Sequence, residues 1–106
     1  MRMLSQLLQQ AQAAQAKIAA AQERLAREEV EGRAGGGRVT VALGGKGEAR
    51  RLKIDPSLLK PEETERLEDL ILTALADARG KQEALMATAM QDATAGLPLP
   101  PGLKLF

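Results

Sequence analysis

Three groups of residues in this chain have types and spacings that could do chemistry. They are two glycine clusters, a run of carboxylates, and a helix-forming segment in which glutamine alternates with arginine and lysine. Gly35-Gly36-Gly37 and Gly44-Gly45-Lys46-Gly47 have the composition of a loop whose backbone amides cradle phosphate. A Walker loop, however, needs a strand before it, a helix after it and Lys-Ser or Lys-Thr at its end, and both clusters here are flanked by strand-like alternation. Tight turns that join strand to strand account for these glycines, with Lys46 a solvated lysine at a turn tip. Glu62, Glu63, Glu65, Glu68 and Asp69 resemble a hard-metal ligand set. Their placement at a helix start, where the positive end of the dipole favours acids, explains them without a metal.

The third group is Gln6, Gln9, Gln10, Gln12, Gln15 and Gln22 together with Arg2, Lys17, Arg24 and Arg27. Glutamine and arginine can bond phosphates and base edges, so a helical DNA-binding surface is chemically available. On residue type alone a solvated helix face is the better explanation, because four bases over 27 residues is a modest density.

Much chemistry is excluded. Cysteine and histidine are both absent, which removes disulfides, thiolate or imidazole metal sites, Ser–His pairs and the usual neutral-pH acid and base. Ser5 and Ser57 have no histidine partner, so no enzyme, no cofactor and no metal site are expected. The single aromatic residue, Phe106, leaves no platform for stacking single-stranded bases. No run of 18 apolar residues exists, and the start Met-Arg-Met-Leu-Ser-Gln turns polar too soon for a secretory core. An intracellular, soluble protein is expected.

The elements that position these residues read as helix, sheet, helix, tail. Residues 3–27 lack Gly and Pro and consist almost wholly of helix formers. Leu4, Leu8, Ala11, Gln15, Ile18, Gln22 and Leu25 alternate by four and three, the repeat of a helix packed along a seam, which Ala14 and Ala21 widen. Such a helix is roughly 37 Å long at 1.5 Å per residue, so it overhangs a small sheet and must project or pair with a second chain.

Over residues 28–54 the period becomes two. Val30, Gly32 and Ala34, then Val39, Val41 and Leu43, then Arg50, Leu52 and Ile54 trace one face of a three-stranded antiparallel meander. Arg33, Arg38, Arg51 and Lys53 with Glu29 and Glu31 occupy the other face. Asp55-Pro56 ends the last strand, and Pro56 to Leu59 allows one short helical turn. A second helix is expected over 61–93, with Leu67, Leu70, Ile71, Ala74, Leu75 and Ala78 as the stripe that covers the sheet. Gly80 within it suggests a bend or a close contact, after which Leu85, Met86, Ala89 and Met90 resume the stripe. Residues 96–106, rich in Pro and Leu, form a tail that either docks on a partner subunit or stays disordered.

The 106 residues suit one domain, and 19 of the 47 apolar residues are alanine, which buries little area. A lone subunit therefore has a thin core that oligomerisation would enlarge. The net charge of +1 hides a positive first half and an acidic second half, which permits polyanion binding at one region without implying it.

The combined pattern is more specific than any of its parts. The Leu/Gln/Ala helix, Glu29-Val30-Glu31-Gly32-Arg33-Ala34-Gly35-Gly36-Gly37, Gly45-Lys46-Gly47-Glu48, and Leu52-Lys53-Ile54-Asp55-Pro56-Ser57-Leu58-Leu59 resemble the YbaB/EbfC family of bacterial nucleoid-associated proteins. The likeness continues through Glu68-Asp69-Leu70-Ile71 and Ala76-Asp77-Ala78 to Gly96-Leu97-Pro98-Leu99-Pro100-Pro101-Gly102, and so covers essentially the whole chain.

The resemblance implies an α+β subunit of order α-β-β-β-α. It further implies a homodimer with joined sheets and helices projecting like tweezers, double-stranded DNA as the partner, and a place in the cytoplasm at the nucleoid. Charge and placement, rather than the family, single out Arg2, Lys17, Arg24 and Arg27 for phosphate contacts, with Arg79 and Lys81 secondary. A competing expectation is a dimeric adaptor for a replication, recombination or repair protein, suggested by the apolar tail and the acidic second helix.

Overall fold

A computed structural model describes residues 2–95. The elements are α1 (Arg2–Arg27), β1 (Glu29–Ala34), β2 (Val39–Gly44), β3 (Ala49–Ile54) and α2 (Thr64–Thr94), with 3₁₀ turns at Pro56–Leu58 and Pro61–Glu63. This is the expected α-β-β-β-α order. The expected Pro/Leu tail at 96–106 lies outside the described residues. The second helix starts three residues later than expected because Pro61–Glu63 winds as a 3₁₀ turn.

The sheet is an antiparallel meander in the order β1-β2-β3. Gly35, Gly36 and Gly37 join the first two strands with φ of 62°, 68° and 89°, a region other L-residues enter at a cost. Val39, Val41 and Leu43 point to one face and are buried with Ala34 against Ala74 and Ala78 of α2. Leu67, Leu70, Ile71 and Leu75 flank this contact, so the expected α2 stripe is the packing stripe.

Closest approach is at Gly32. A Cβ there would lie 2.7 Å from the Ala78 Cβ and would overlap the Ala74 carbonyl oxygen. Gly32, Ala74 and Ala78 thus let helix backbone rest on strand backbone.

The strand faces depart from the expected alternation at one point. A bulge between Ala42 and Leu43 sets Leu43 opposite Ala49 and Ala42 opposite Arg51, which leaves Arg50 as the extra residue. Arg50 therefore does not share the apolar face with Leu52 and Ile54. Its guanidinium donates instead to the Ala26 carbonyl oxygen at 2.9 Å, satisfying one of the free carbonyls at the end of α1.

A second departure concerns coverage. One helix is about 10 Å wide and strands lie about 4.8 Å apart, so α2 spans two strands of three. It packs on β1 and β2, and Leu52 of β3, although on the inner face, stays 51% exposed.

The two helices run antiparallel beyond the sheet. Arg24 and Leu25 lie beside Leu85 and Ala89, and Lys17, Ala20 and Ala21 beside Asp92 and Ala93. The seam on α1 passes through Ala14, Ile18, Ala21 and Leu25, whereas Gln15 and Gln22, expected in it, are exposed. Small residues suit the close helix contact, and glutamine keeps its amide in water. Where the helical arm joins the sheet, buried Gln82 donates from Nε2 to the Gly45 carbonyl oxygen at 3.0 Å.

At Gly80 the structure corrects the expectation of a close contact. α2 continues through it, and an added Cβ would meet nothing within 4 Å. Gly80→Ala is accordingly expected to stabilise the fold by about 0.5–1 kcal/mol through helix propensity alone. A rise in the urea midpoint with an unchanged slope would show it.

Candidate nucleic-acid interface

Helix α1 carries the basic residues in a defined array. At 100° per residue, Arg2, Lys17, Arg24 and Arg27 fall within an arc of about 80°, centred roughly 120° from Leu25 in the seam. They are spread over about 37 Å of the helix axis. All four are exposed, and none has an ion pair among the described residues. Gln6 and Gln9 fall within the same arc, so the face adds neutral donors to cationic ones. Arg24 and Arg27 also lie in the last turn of α1, where the dipole's negative end favours cations.

The sheet's bases are in a different state. Arg33 pairs with Glu31 at 3.0 Å, Arg50 with Glu48 at 3.1 Å and with Glu29 at 3.6 Å, and Arg51 forks onto Glu29. The Arg51 hydrogen bond, with both arginine charges nearby, holds the Glu29 carboxyl below its ordinary value of 4.5. Arg38 donates from Nε to the Gly35 carbonyl oxygen at 2.9 Å. Arg33, Arg50 and Arg51 of the sheet are thus charge-compensated, whereas Lys46 and Lys53, like the four bases aligned on α1, have no ion pair among the described residues.

Of the two expected secondary residues, Arg79 is exposed on α2 without an ion pair among the described residues. Lys81 is engaged. Its Nζ donates to the Glu31 carbonyl oxygen at 2.8 Å and pairs with Asp77 at 3.2 Å, while Asp77 accepts from the Arg33 backbone N–H at 3.0 Å. Glu31 and Arg33 direct these groups away from β2, so Asp77 and Lys81 occupy hydrogen-bonding positions on the free edge of β1. A covered edge cannot accept another strand there.

The Arg33 N–H foremost, and then Lys81, hold the Asp77 carboxyl below its ordinary 3.8. A carboxyl lowered by folding stabilises the fold fully above its ordinary value, and that contribution is lost as pH falls through the lowered one. Asp77→Ala is therefore expected to reduce the urea midpoint at neutral pH, and the gap to the parent should close in acid below pH 3.8. A gap that persisted unchanged in acid would show that the carboxylate charge is not its source.

The opposite edge is open. Among the described residues β3 has no strand beyond it, and beside it Val41, Ala49, Leu52, Ile71 and Leu75 line a groove of about 330 Å³. Leu72 and Leu59 are also largely exposed. The chain exposes 7669 Å² in total, well above the roughly 5,700 Å² expected of a compact monomer of this mass.

Sequence reasoning singled out the four α1 bases but not their alignment, which emerges when each is placed at 100° per residue. It missed Gln82, since a glutamine among helix formers gives no sign of burial. It also missed the Asp77–Lys81 cover, whose i,i+4 spacing was the available signal.

The described residues form a small α+β subunit with a cationic helix face free of ion pairs and an open sheet edge, and no helix among them is long and apolar enough to cross a membrane. Comparison with known proteins gives the family. The chain matches the YbaB/EbfC DNA-binding family over residues 1–97 and belongs to that family, one of DNA-binding proteins and not of enzymes. It is 60% identical over 91 residues to nucleoid-associated protein Atu0095 of Agrobacterium fabrum, covering 86% of this chain and 85% of that one. A nucleoid-associated protein of Brucella anthropi is 52% identical over 105 residues, covering 99% and 98%. The crystal structure of the uncharacterized protein HP0035 from Helicobacter pylori superposes with a TM-score of 0.75 at 27% identity, covering 83% of this chain and 92% of that one.

Proposed function

We propose that this protein is a nucleoid-associated protein of the bacterial cytoplasm that grips duplex DNA as a homodimer. In this reading it neutralises backbone phosphates with little sequence preference, organises or bends the duplex, and so influences gene expression. It needs no cofactor and catalyses no reaction. The observation that carries the reading is the alignment of Arg2, Lys17, Arg24 and Arg27, unpaired, along one face of the projecting α1. Arg79 is a secondary contact, and Lys81 becomes one only where a phosphate displaces Asp77 and the Glu31 carbonyl oxygen from its ammonium.

Backbone gripping follows from the residue types. Phosphate contacts position a protein on DNA without conveying sequence, and the face offers cations and glutamines but no aromatic wedge. The homodimer draws support from the open β3 edge with its groove, and from the surface in excess of a compact monomer's. With β1 covered by Asp77 and Lys81, β3 is the edge left to pair two sheets, and the flanking helices then become two arms. The names of the Agrobacterium and Brucella relatives agree with a place on the nucleoid.

Duplex titrations at graded salt test the proposal. If about four phosphates are neutralised, log K against log salt falls with a slope of roughly −3.6, and affinity drops about 150-fold between 50 and 200 mM salt. Arg24→Ala combined with Arg27→Ala is expected to weaken binding and flatten the slope while the oligomeric state stays unchanged. Unaltered affinity in that variant would remove the C-terminal half of the face from the interface.

A further inference from the structure

The outer face of the sheet, opposite α2, carries a row of hydrogen-bond donors that crosses all three strands. Thr40 of β2 lies opposite Arg33 of β1 on one side and opposite Lys53 of β3 on the other. Strands are about 4.8 Å apart, so the backbone positions of all three fall within about 10 Å. Arg38, the next outward position on β2, flanks the row toward the hairpin. With Glu31, Ile54 and Asp55 these residues line an open groove of about 470 Å³. The row lies about 13 Å along β1 from the end that α1 joins.

In this groove the acceptors are engaged and donors are left over. Glu31 accepts from Arg33 at 3.0 Å, and Asp55 accepts from the Ser57 backbone N–H at 2.8 Å. Among the described residues the Lys53 ammonium has no ion pair and the Thr40 hydroxyl no hydrogen bond. Arg38 is half-buried and anchored by Nε, which donates to the Gly35 carbonyl oxygen at 2.9 Å and leaves both terminal nitrogens unpaired. Three cations against two carboxylates leave the groove positive by one charge, which matches a phosphodiester. A guanidinium, an ammonium and a hydroxyl are the donors that backbone phosphates take. Ile54 is the one apolar side chain in the lining and no aromatic is present, so the groove offers neither an anchor for a protein partner nor a platform for single-stranded bases.

We propose that this row is a second phosphate-binding surface, where Arg38, Thr40 and Lys53, assisted by Arg33, hold the backbone of a second duplex while α1 grips the first. The protein then bridges two DNA segments. In a homodimer joined across β3, antiparallel pairing sets the twofold axis perpendicular to the sheet, so the two rows face the same side and double the surface. Bridging rests on the preceding reading for the first duplex, whereas the groove stands without it.

Thr40→Val combined with Lys53→Met removes two of the donors, keeps a β-branched residue in the central strand and leaves α1 untouched. On beads carrying one duplex, the full-length parent is expected to capture a second, fluorescent duplex. The double variant should capture at least about fivefold less, while its affinity in dilute single-duplex titrations stays within about twofold of the parent's. Lys60→Met, an equal loss of charge at an exposed residue outside the groove, should capture as the parent does. No capture by the parent, or undiminished capture by the double variant, overturns the proposal. Equal loss in Lys60→Met assigns capture to net charge and overturns it as well. Single-duplex affinity that falls in step with capture puts the row on the same duplex as α1, which also overturns it. Amide NMR shifts during a duplex titration separate this site from the preceding reading. Signals of Thr40 and Lys53 that stay still while those of α1 move overturn the row alone. The reverse pattern removes α1 from the interface and upholds the row as a DNA contact.

Discussion

Gly32→Ala is expected to destabilise the subunit by about 3 kcal/mol, the upper part of the range for overpacking, because the atoms in the way are backbone. The new methyl group would overlap the Ala74 carbonyl oxygen and the Ala78 amide nitrogen and lie 2.7 Å from the Ala78 Cβ. None of these can swing aside as a flexible side chain can. Either α2 lifts from β1, uncovering Val39, Val41 and Leu43, or the strand bends and breaks its register with β2. A loss of this size lowers the melting temperature of a domain of about 100 residues by roughly 12–24 °C. The same replacement at Gly36 separates sterics from backbone conformation. There an added Cβ meets nothing within 4 Å, and φ is 68°, so Gly36→Ala costs only the left-handed strain, about 1–2 kcal/mol. If thermal melts ranked Gly36→Ala as the more damaging of the two, the close approach of helix and strand at Gly32 would be wrong.

This contrast marks what the sequence discloses and what it does not. The meander was legible because Val39, Val41 and Leu43 alternate and because glycine triplets cannot continue a strand. The α2 stripe was legible because Leu67, Leu70, Ile71, Ala74 and Ala78 recur at helical spacing. Both are local periodicities, set by backbone geometry before any tertiary contact forms. Gly32 was readable as a strand residue but not as a contact point, since the reason for its lack of a side chain lies in Ala74 and Ala78, more than forty residues away. Arg50 misled for a related reason. Strict alternation places it beside Leu52, and a bulge depends on the partner strand and on the carbonyl of Ala26 that its guanidinium reaches.

The basic face of α1 shows the same division. Arg2, Lys17, Arg24 and Arg27 were identifiable as bases on a helix, but the importance of their alignment rests on a comparison that only the structure supplies. Arg33, Arg50 and Arg51 are equally basic by sequence, yet each is tied to Glu29, Glu31 or Glu48. Lys81 illustrates the reverse case. Its charge suggested DNA, and the structure gives its ammonium the Glu31 carbonyl oxygen and Asp77 as partners.

Leu52→Asp is expected to have the largest effect on function without touching the basic face. Leu52 is 51% exposed on its own subunit, so the variant should fold, and its circular dichroism and melting should match the parent's after correction for lost association. In a twofold dimer across β3 each substitution counts twice. Withdrawing a leucine from a buried interface costs about 2 kcal/mol per copy, or about 4 kcal/mol for the pair, near a thousandfold in dissociation constant, before the penalty of the carboxylates. Light scattering at micromolar concentration should then report half the parent's mass. Duplex DNA would meet one arm in place of two, and losing the linked second contact weakens binding by about 100-fold or more at fixed salt. The salt slope should halve, to roughly −1.8, because half as many phosphates are neutralised. This pairing of mass and slope distinguishes Leu52→Asp from the Arg24 and Arg27 replacements, which flatten the slope but keep the mass. A monomeric Leu52→Asp protein that still bound duplex DNA with the parent's affinity and slope would show that each arm acts alone, and the open β3 edge would then have no part in gripping DNA.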